Sequence, residues 1–208
     1  MKTQVRHIGM ALVILATVFA GVAPTWAATN QATDSPGGSV TLTGSGLVTI
    51  DSIALQLVKQ VFSTAGVCLA SSPTDPTCSG GATTVTVAAG TSLKFVIFVK
   101  NSTALALTDV RFQDVLDTTA TGFTYVASSM KYDGTLVDTS TSAQIYTRVD
   151  TLGTAETDAV DIGAGNYASI TGTPLSNLTV GAVGGQVNAT LSVGANKVFA
   201  LEFQATKK

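Results

Sequence analysis

The sequence predicts an all-β protein: an antiparallel β-sandwich carrying a β extension at its N-terminus. Three observations predict it. Gly, Thr, Ser, Ala and Val dominate a chain in which only 12% of residues are charged, so β-branched and turn-forming residues stand where helix formers would. From Thr83 onward, short strand-like runs recur, most of them separated by Gly, Asn, Asp, Ser and Thr. Within the longest runs apolar side chains alternate, which is the pattern of half-buried strands in a two-sheet packing rather than of a parallel sheet.

The first element is a targeting segment. Lys2, Arg6 and His7 precede a nearly unbroken apolar run from Ile8 to Ala23, and Pro24-Thr25-Trp26-Ala27-Ala28 closes it in small residues. That is the layout of a secretory signal peptide over residues 1–27, cut after Ala27 or at the neighbouring Ala28. Its removal takes the only histidine, His7, and the only tryptophan, Trp26. It leaves nine Lys and Arg against thirteen Asp and Glu, a net charge of −4. The expected location is secreted, extracellular or on the cell surface. Mild acidity argues against nucleic acid, whose binding needs clustered Lys and Arg. No later segment approaches the ~18 consecutive apolar residues of a membrane span.

Residues 28–50 read as a flexible leader and an N-terminal β arm. "ATNQATDSPGGS" is polar and contains Pro36-Gly37-Gly38, and "SVTLT" and "GLVTI" follow as short β-like runs. Residues 51–208 read as one enlarged domain, since a mature chain of about 180 residues suffices for a single core. Its first strand is "IALQLVKQVF". Cys68 and Cys78 come next, ten apart and bracketing Pro73 and Pro76. In an oxidising compartment they are expected to form a local disulfide.

The strands that follow are "TTVTVAAG", "SLKFVIFVK", "TDVRFQD", "GFTYVASS", "AQIYTRV", "GNYASI", "QVNATLSV" and "NKVFALEFQAT", and no helix is expected. Over residues 92–100, Leu93, Phe95, Ile97 and Val99 share the core side, while the other side holds Val96 and Phe98 between Lys94 and Lys100. In the last strand Phe199, Leu201, Phe203 and Ala205 point one way, and Val198, Ala200, Glu202 and Gln204 the other.

The stretch from Val87 to Ser129 carries a pattern. A turn at Gly90 leads to a strand ending in Asn101, a polar loop leads to a strand ending in Asp114, and Gly122-Phe123-Thr124-Tyr125-Val126 follows. This stretch resembles the DUF11 family of surface-protein repeats. "ALQLVKQV", with Lys59, looks like that family's first strand, and "VFALEFQATKK" like its last. The chain departs from the family in having Asp117 where a Pro is usual, and in showing one copy rather than a tandem array. The resemblance implies an immunoglobulin-like β-sandwich outside a prokaryotic cell, in the setting of surface proteins, adhesins or pilus subunits, with no catalytic residue. Taken by themselves, Asn101 and Asp114 read as turn formers and Tyr125 as a buried ring with a satisfied hydroxyl.

The functional inventory is short. Without a mature histidine, Ser-His-Asp and Cys-His catalysis and His-based metal or haem sites are excluded, and no enzyme is expected. Asp114 and Asp117, and the acidic run Asp150, Glu156, Asp158 and Asp161, are read as turn formers and solubilising charges. No cofactor is expected. Calcium is the ion such a loop suits, with Asp158 and Asp161 as its ligands. In the arm, Val40, Leu42, Val48 and Ile50 are the side chains that would fit a neighbouring sheet edge if the arm added itself as a strand.

Two functions follow as expectations. One is a structural or adhesive surface protein, a pilus-like filament subunit that pairs with its own kind or another surface protein. The alternative is a monomeric module binding a glycan or protein, with or without calcium. Self-pairing of the arm within its own chain competes with the first.

Overall fold

The computed structural model describes residues 31–35, 39–45, 55–159, 165–183 and 186–208. The expected signal peptide, Val48, Ile50 and Asp161 lie outside the described residues. The arm contributes β1 (Gln31–Ser35) and β2 (Ser39–Ser45). The body opens with β3 (Leu55–Ser63), β4 (Cys68–Ser72), β5 (Thr84–Thr86) and β6 (Ser92–Asn101). Then come β7 (Leu107–Val110), β8 (Phe112–Val115), β9 (Phe123–Tyr125) and β10 (Lys131–Asp133). A helix α1 (Ser142–Leu152) leads to β11 (Thr154–Ala155), β12 (Ala168–Thr171), β13 (Asn177–Val180), β14 (Ala182–Val183), β15 (Gln186–Val187), β16 (Leu191–Val193) and β17 (Lys197–Lys207).

The main sheet has seven strands, ordered β11-β10-β17-β6-β3-β4, with β9 also beside β17. Its centre is the antiparallel pair β6–β17, in register from Asn101 opposite Lys197 to Ser92 opposite Thr206. Facing it are β12-β13-β8 and the pair β16-β7. One apolar cluster fills the space between. Leu93, Phe95, Ile97, Val99, Leu201 and Phe203 come from the main sheet, and Leu116, Ile170, Leu178, Val180, Leu191 and Val193 from the opposing side. This is the antiparallel sandwich that alternation predicts.

The helix is the correction. "AQIYTRV" reads as a strand because Ile, Tyr, Thr and Val favour pleated structure. The structure makes it the middle of α1. Thr141 is the N-cap: its hydroxyl accepts from the Gln144 N–H at 3.3 Å, and the Gln144 side chain accepts from the Thr141 N–H at 2.9 Å. Thr-x-x-Gln is a capping box, and it satisfies two amides that a helix start otherwise leaves open. Ile145, Tyr146 and Val149 form the buried stripe.

That stripe explains Val96 and Phe98. With Val58, Phe62, Val198 and Ala200 they form a second cluster on the outer face of the main sheet, covered by Ile145, Tyr146 and Val149. The main sheet is thus buried on both sides, and the molecule has three layers. Tyr146 stacks on Phe62 with ring centroids 4.2 Å apart. Gly66, in the turn joining β3 to β4, sits at φ +83°, and a Cβ there would stand 2.9 Å from the Tyr146 ring. The turn therefore needs glycine for its backbone and for the close approach of the helix.

Two runs divide further than expected. "TDVRFQD" divides at Arg111, so that β7 pairs with β16 and β8 with β13, and inside β7 Asp109 takes φ 59° where the β7–β16 register is irregular. "QVNATLSV" splits into β15 and β16 around Asn188, which is buried and donates to the Thr179 carbonyl at 3.0 Å.

Candidate functional site

The arm and its attachment come first. β2 pairs antiparallel with β5 through Ser39–Thr86, Val40–Val85 and Thr41–Thr84. β1 folds back on β2 from Gln31 opposite Ser45 to Ser35 opposite Ser39. Of the four predicted assembly residues, Val40 and Leu42 lie on β2, with Val40 inside the β5 ladder and Leu42 just past it. The ladder to the body is three residues long. β5 packs its Val85 against the inter-sheet core, so the strand that receives the arm is itself anchored.

The disulfide joins Cys68, the first residue of β4, to Cys78. Its loop is fixed from inside by Asp75. The Gln60 side-chain amide donates to Asp75 at 3.1 Å and to the Ser142 hydroxyl at 2.9 Å, and Ser142 donates to Asp75. Burial raises the Asp75 carboxyl, but hydrogen bonds from Ser142, Thr77 and Gln60 outweigh it and hold the group below its usual value. One network thus ties the loop, the main sheet and the start of α1. Beside it lies a cleft of about 150 Å³ lined by Val58, Pro73, Asp75, Phe98, Lys100 and Ser142. That is well under the ~300 Å³ at which pockets begin to engulf small ligands.

Asp158, predicted to hold calcium, closes a different contact. One carboxylate oxygen accepts from the Tyr125 hydroxyl at 2.6 Å and the other from the Ser128 N–H at 2.8 Å. Burial and the Asp158 carboxylate raise the Tyr125 hydroxyl, so it remains a donor. Tyr125 behaves as expected, a buried ring with a satisfied hydroxyl. Asn101 also does, more extensively. Its side chain is fully buried, accepts from the Thr103 N–H at 3.0 Å, and donates to the carbonyls of Leu105, Val193 and Gly194.

Asp114 does not follow the turn reading. It points into the core and accepts from the Lys59 ammonium at 2.6 Å. The side chains are 12% and 5% exposed. Lys59 lies on the main sheet and Asp114 on the opposing one, so the pair crosses the sandwich. The alternation carried the signal: Lys59 takes an inward slot in Leu55-Leu57-Lys59-Val61, and Asp114 one in Phe112-Asp114-Leu116.

A second buried charge group lies under α1. Lys94 pairs with Asp150 from the last turn of the helix, and its ammonium stands 3.9 Å from Glu202 and 5.5 Å from the Tyr146 ring centroid. Glu202 is fully buried, and neither of its carboxylate oxygens accepts a hydrogen bond. Burial, reinforced by the charge of Asp150, pushes its carboxyl up to about 7. The arrangement holds a helix on a sheet.

Comparison with protein-family models, with curated proteins and with solved structures gives no match for this chain. Among the described residues no helix is long and apolar enough to cross a membrane.

Proposed function

We propose that this is a secreted structural or adhesive surface protein that assembles by exchanging its N-terminal arm between copies, as a filament subunit does. The observation that carries the reading is the ladder between β2 and β5. In a single chain the arm satisfies its backbone groups on β5 through three residue pairs. A second copy presents the same β5 edge, so the same pairs form between chains with no new contact chemistry. Exchange of an identical element is a low-cost route to assembly, and head-to-tail exchange that does not close gives a filament. Backbone pairing supplies the strength, and alternate residues such as Val40 and Leu42 supply the fit. The resemblance over residues 87–129 to surface-protein repeats and the signal-like N-terminus support the same setting.

The test compares the mature protein with a form lacking residues 28–50, by size-exclusion chromatography and negative-stain imaging over a range of concentration. Oligomers or filaments are expected from the full mature form only. A full form that stays monomeric at high concentration would refute the reading.

A further inference from the structure

We propose that α1 is a latch held by a proton: protonated Glu202 keeps the C-terminal half of the helix closed on the main sheet, and loss of that proton lifts it. The motive is a shortage of partners. Glu202, on the outer face of β17, is fully buried, and neither of its carboxylate oxygens accepts a hydrogen bond. The charged and titratable groups around it come from three elements. β6 supplies Lys94, whose ammonium is 3.9 Å away and already pairs with Asp150. β10 supplies Lys131, opposite Glu202 in the sheet. Its ammonium donates to the Asp150 carbonyl at 2.7 Å and stands 3.9 Å from the Asp150 carboxylate. α1 supplies Asp150 itself and Tyr146, whose ring lies against Lys94. Two carboxylates therefore compete for one ammonium, while the second ammonium is engaged with the helix.

The proton resolves the competition. Protonated, Glu202 becomes a donor, and the Asp150 carboxylate is the acceptor that faces it. Lys94 then serves Asp150 alone, and the last turns of α1 are drawn inward. Ionised, Glu202 repels Asp150 and competes for Lys94, and a buried charge without full pairing favours any opening that admits water. The helix end is the part that can yield. Asp150 is only half-buried, and the other clamp there, Arg148 on Asp133, is a partly exposed pair of the kind that contributes little. The first turn stays fixed by the Thr141 capping box and by Ser142 on Asp75. The sign follows from the two states. Closed, burial holds the Glu202 carboxyl up at about 7, and once water reaches it the ordinary 4.5 returns. The latch therefore weakens as pH rises from 4.5 to 7. Asp150, held below 3.8 by Lys94 against its own burial, does not titrate in that window. The only histidine is His7, ahead of the expected cleavage point, so the response needs none.

Hydrogen exchange of the mature protein across a pH series tests the latch, read as protection factors so that the intrinsic pH dependence of exchange cancels. The amides of residues 146–153 are expected to be less protected than those of β6 and β17, as local opening requires. Their protection should fall about tenfold per pH unit from 4.5 to 7 and then level off. Glu202→Gln should abolish the fall. Asp150→Asn, which removes the competing charge, should end it at lower pH. The proposal is overturned if helix protection in the unaltered chain does not change with pH, or equals that of β6 and β17 throughout. It is equally overturned if the fall persists in Glu202→Gln, or ends at the same pH in Asp150→Asn. The first two outcomes need no variant, so a substitution that impairs folding does not shield the proposal.

Discussion

Glu202 is the residue whose chemistry reaches furthest beyond its own contacts. Its folded carboxyl titrates at about 7 against an ordinary 4.5. Between those values the folded chain holds a proton that the unfolded chain has released, so stability falls as pH rises through this window. Asp150 works in the opposite sense. Burial raises it, but the Lys94 ammonium overrides that and holds it below its ordinary 3.8, so its contribution is lost as pH falls. Glu202→Gln removes the first effect and keeps the shape. Urea denaturation across a pH series should show a flatter curve between pH 4.5 and 7, with on the order of 2 kcal/mol less decline. An unchanged curve would mean that Glu202 does not titrate in this range. At this scale the sequence was partly legible. Asn101 and Tyr125 read correctly because their roles follow from side-chain type and local position. Asp114 did not, because a carboxylate at a strand end looks like a turn former until its partner fifty-five positions away is in view.

Among the elements, α1 shows where local propensity misleads. Its β-branched residues favour a strand, but the capping box and the spacing of Ile145 and Val149 favour a helix, and an uncovered apolar face on the main sheet decides between them. The deciding signal was visible as Val96 and Phe98 lying between two lysines, an outward face too apolar for water. Tyr146 is the main anchor of the helix, stacked on Phe62 and under the Lys94 ammonium. Tyr146→Ala should destabilise the protein by about 3 kcal/mol through lost burial and stacking. Thermal melts would measure that loss, and limited proteolysis should then cut within residues 142–153. Resistance there equal to that of the unaltered chain would show that the helix is held by other contacts.

The whole molecule is a three-layer body whose described core residues run from Val58 to Ala205, with the arm attached through β5. The body should therefore fold without the arm. A chain beginning at residue 51 is expected to keep a cooperative melt and a native near-ultraviolet dichroism spectrum. A broad or absent transition would make the arm part of the folding unit. The sandwich architecture was legible at this scale because alternation reports which strands have one buried face. The order of strands was not, since pairing partners depend on contacts that cross most of the chain. One such contact bears on the order in which the chain can fold. β17 lies between β6 and the β10 and β9 strands, so without it the main sheet falls into unconnected pieces. Lys197–Lys207 is also the last described strand to be synthesised. A nascent polypeptide in which this stretch is still to be made lacks that keystone, and can close its main sheet only once these residues are free to pair.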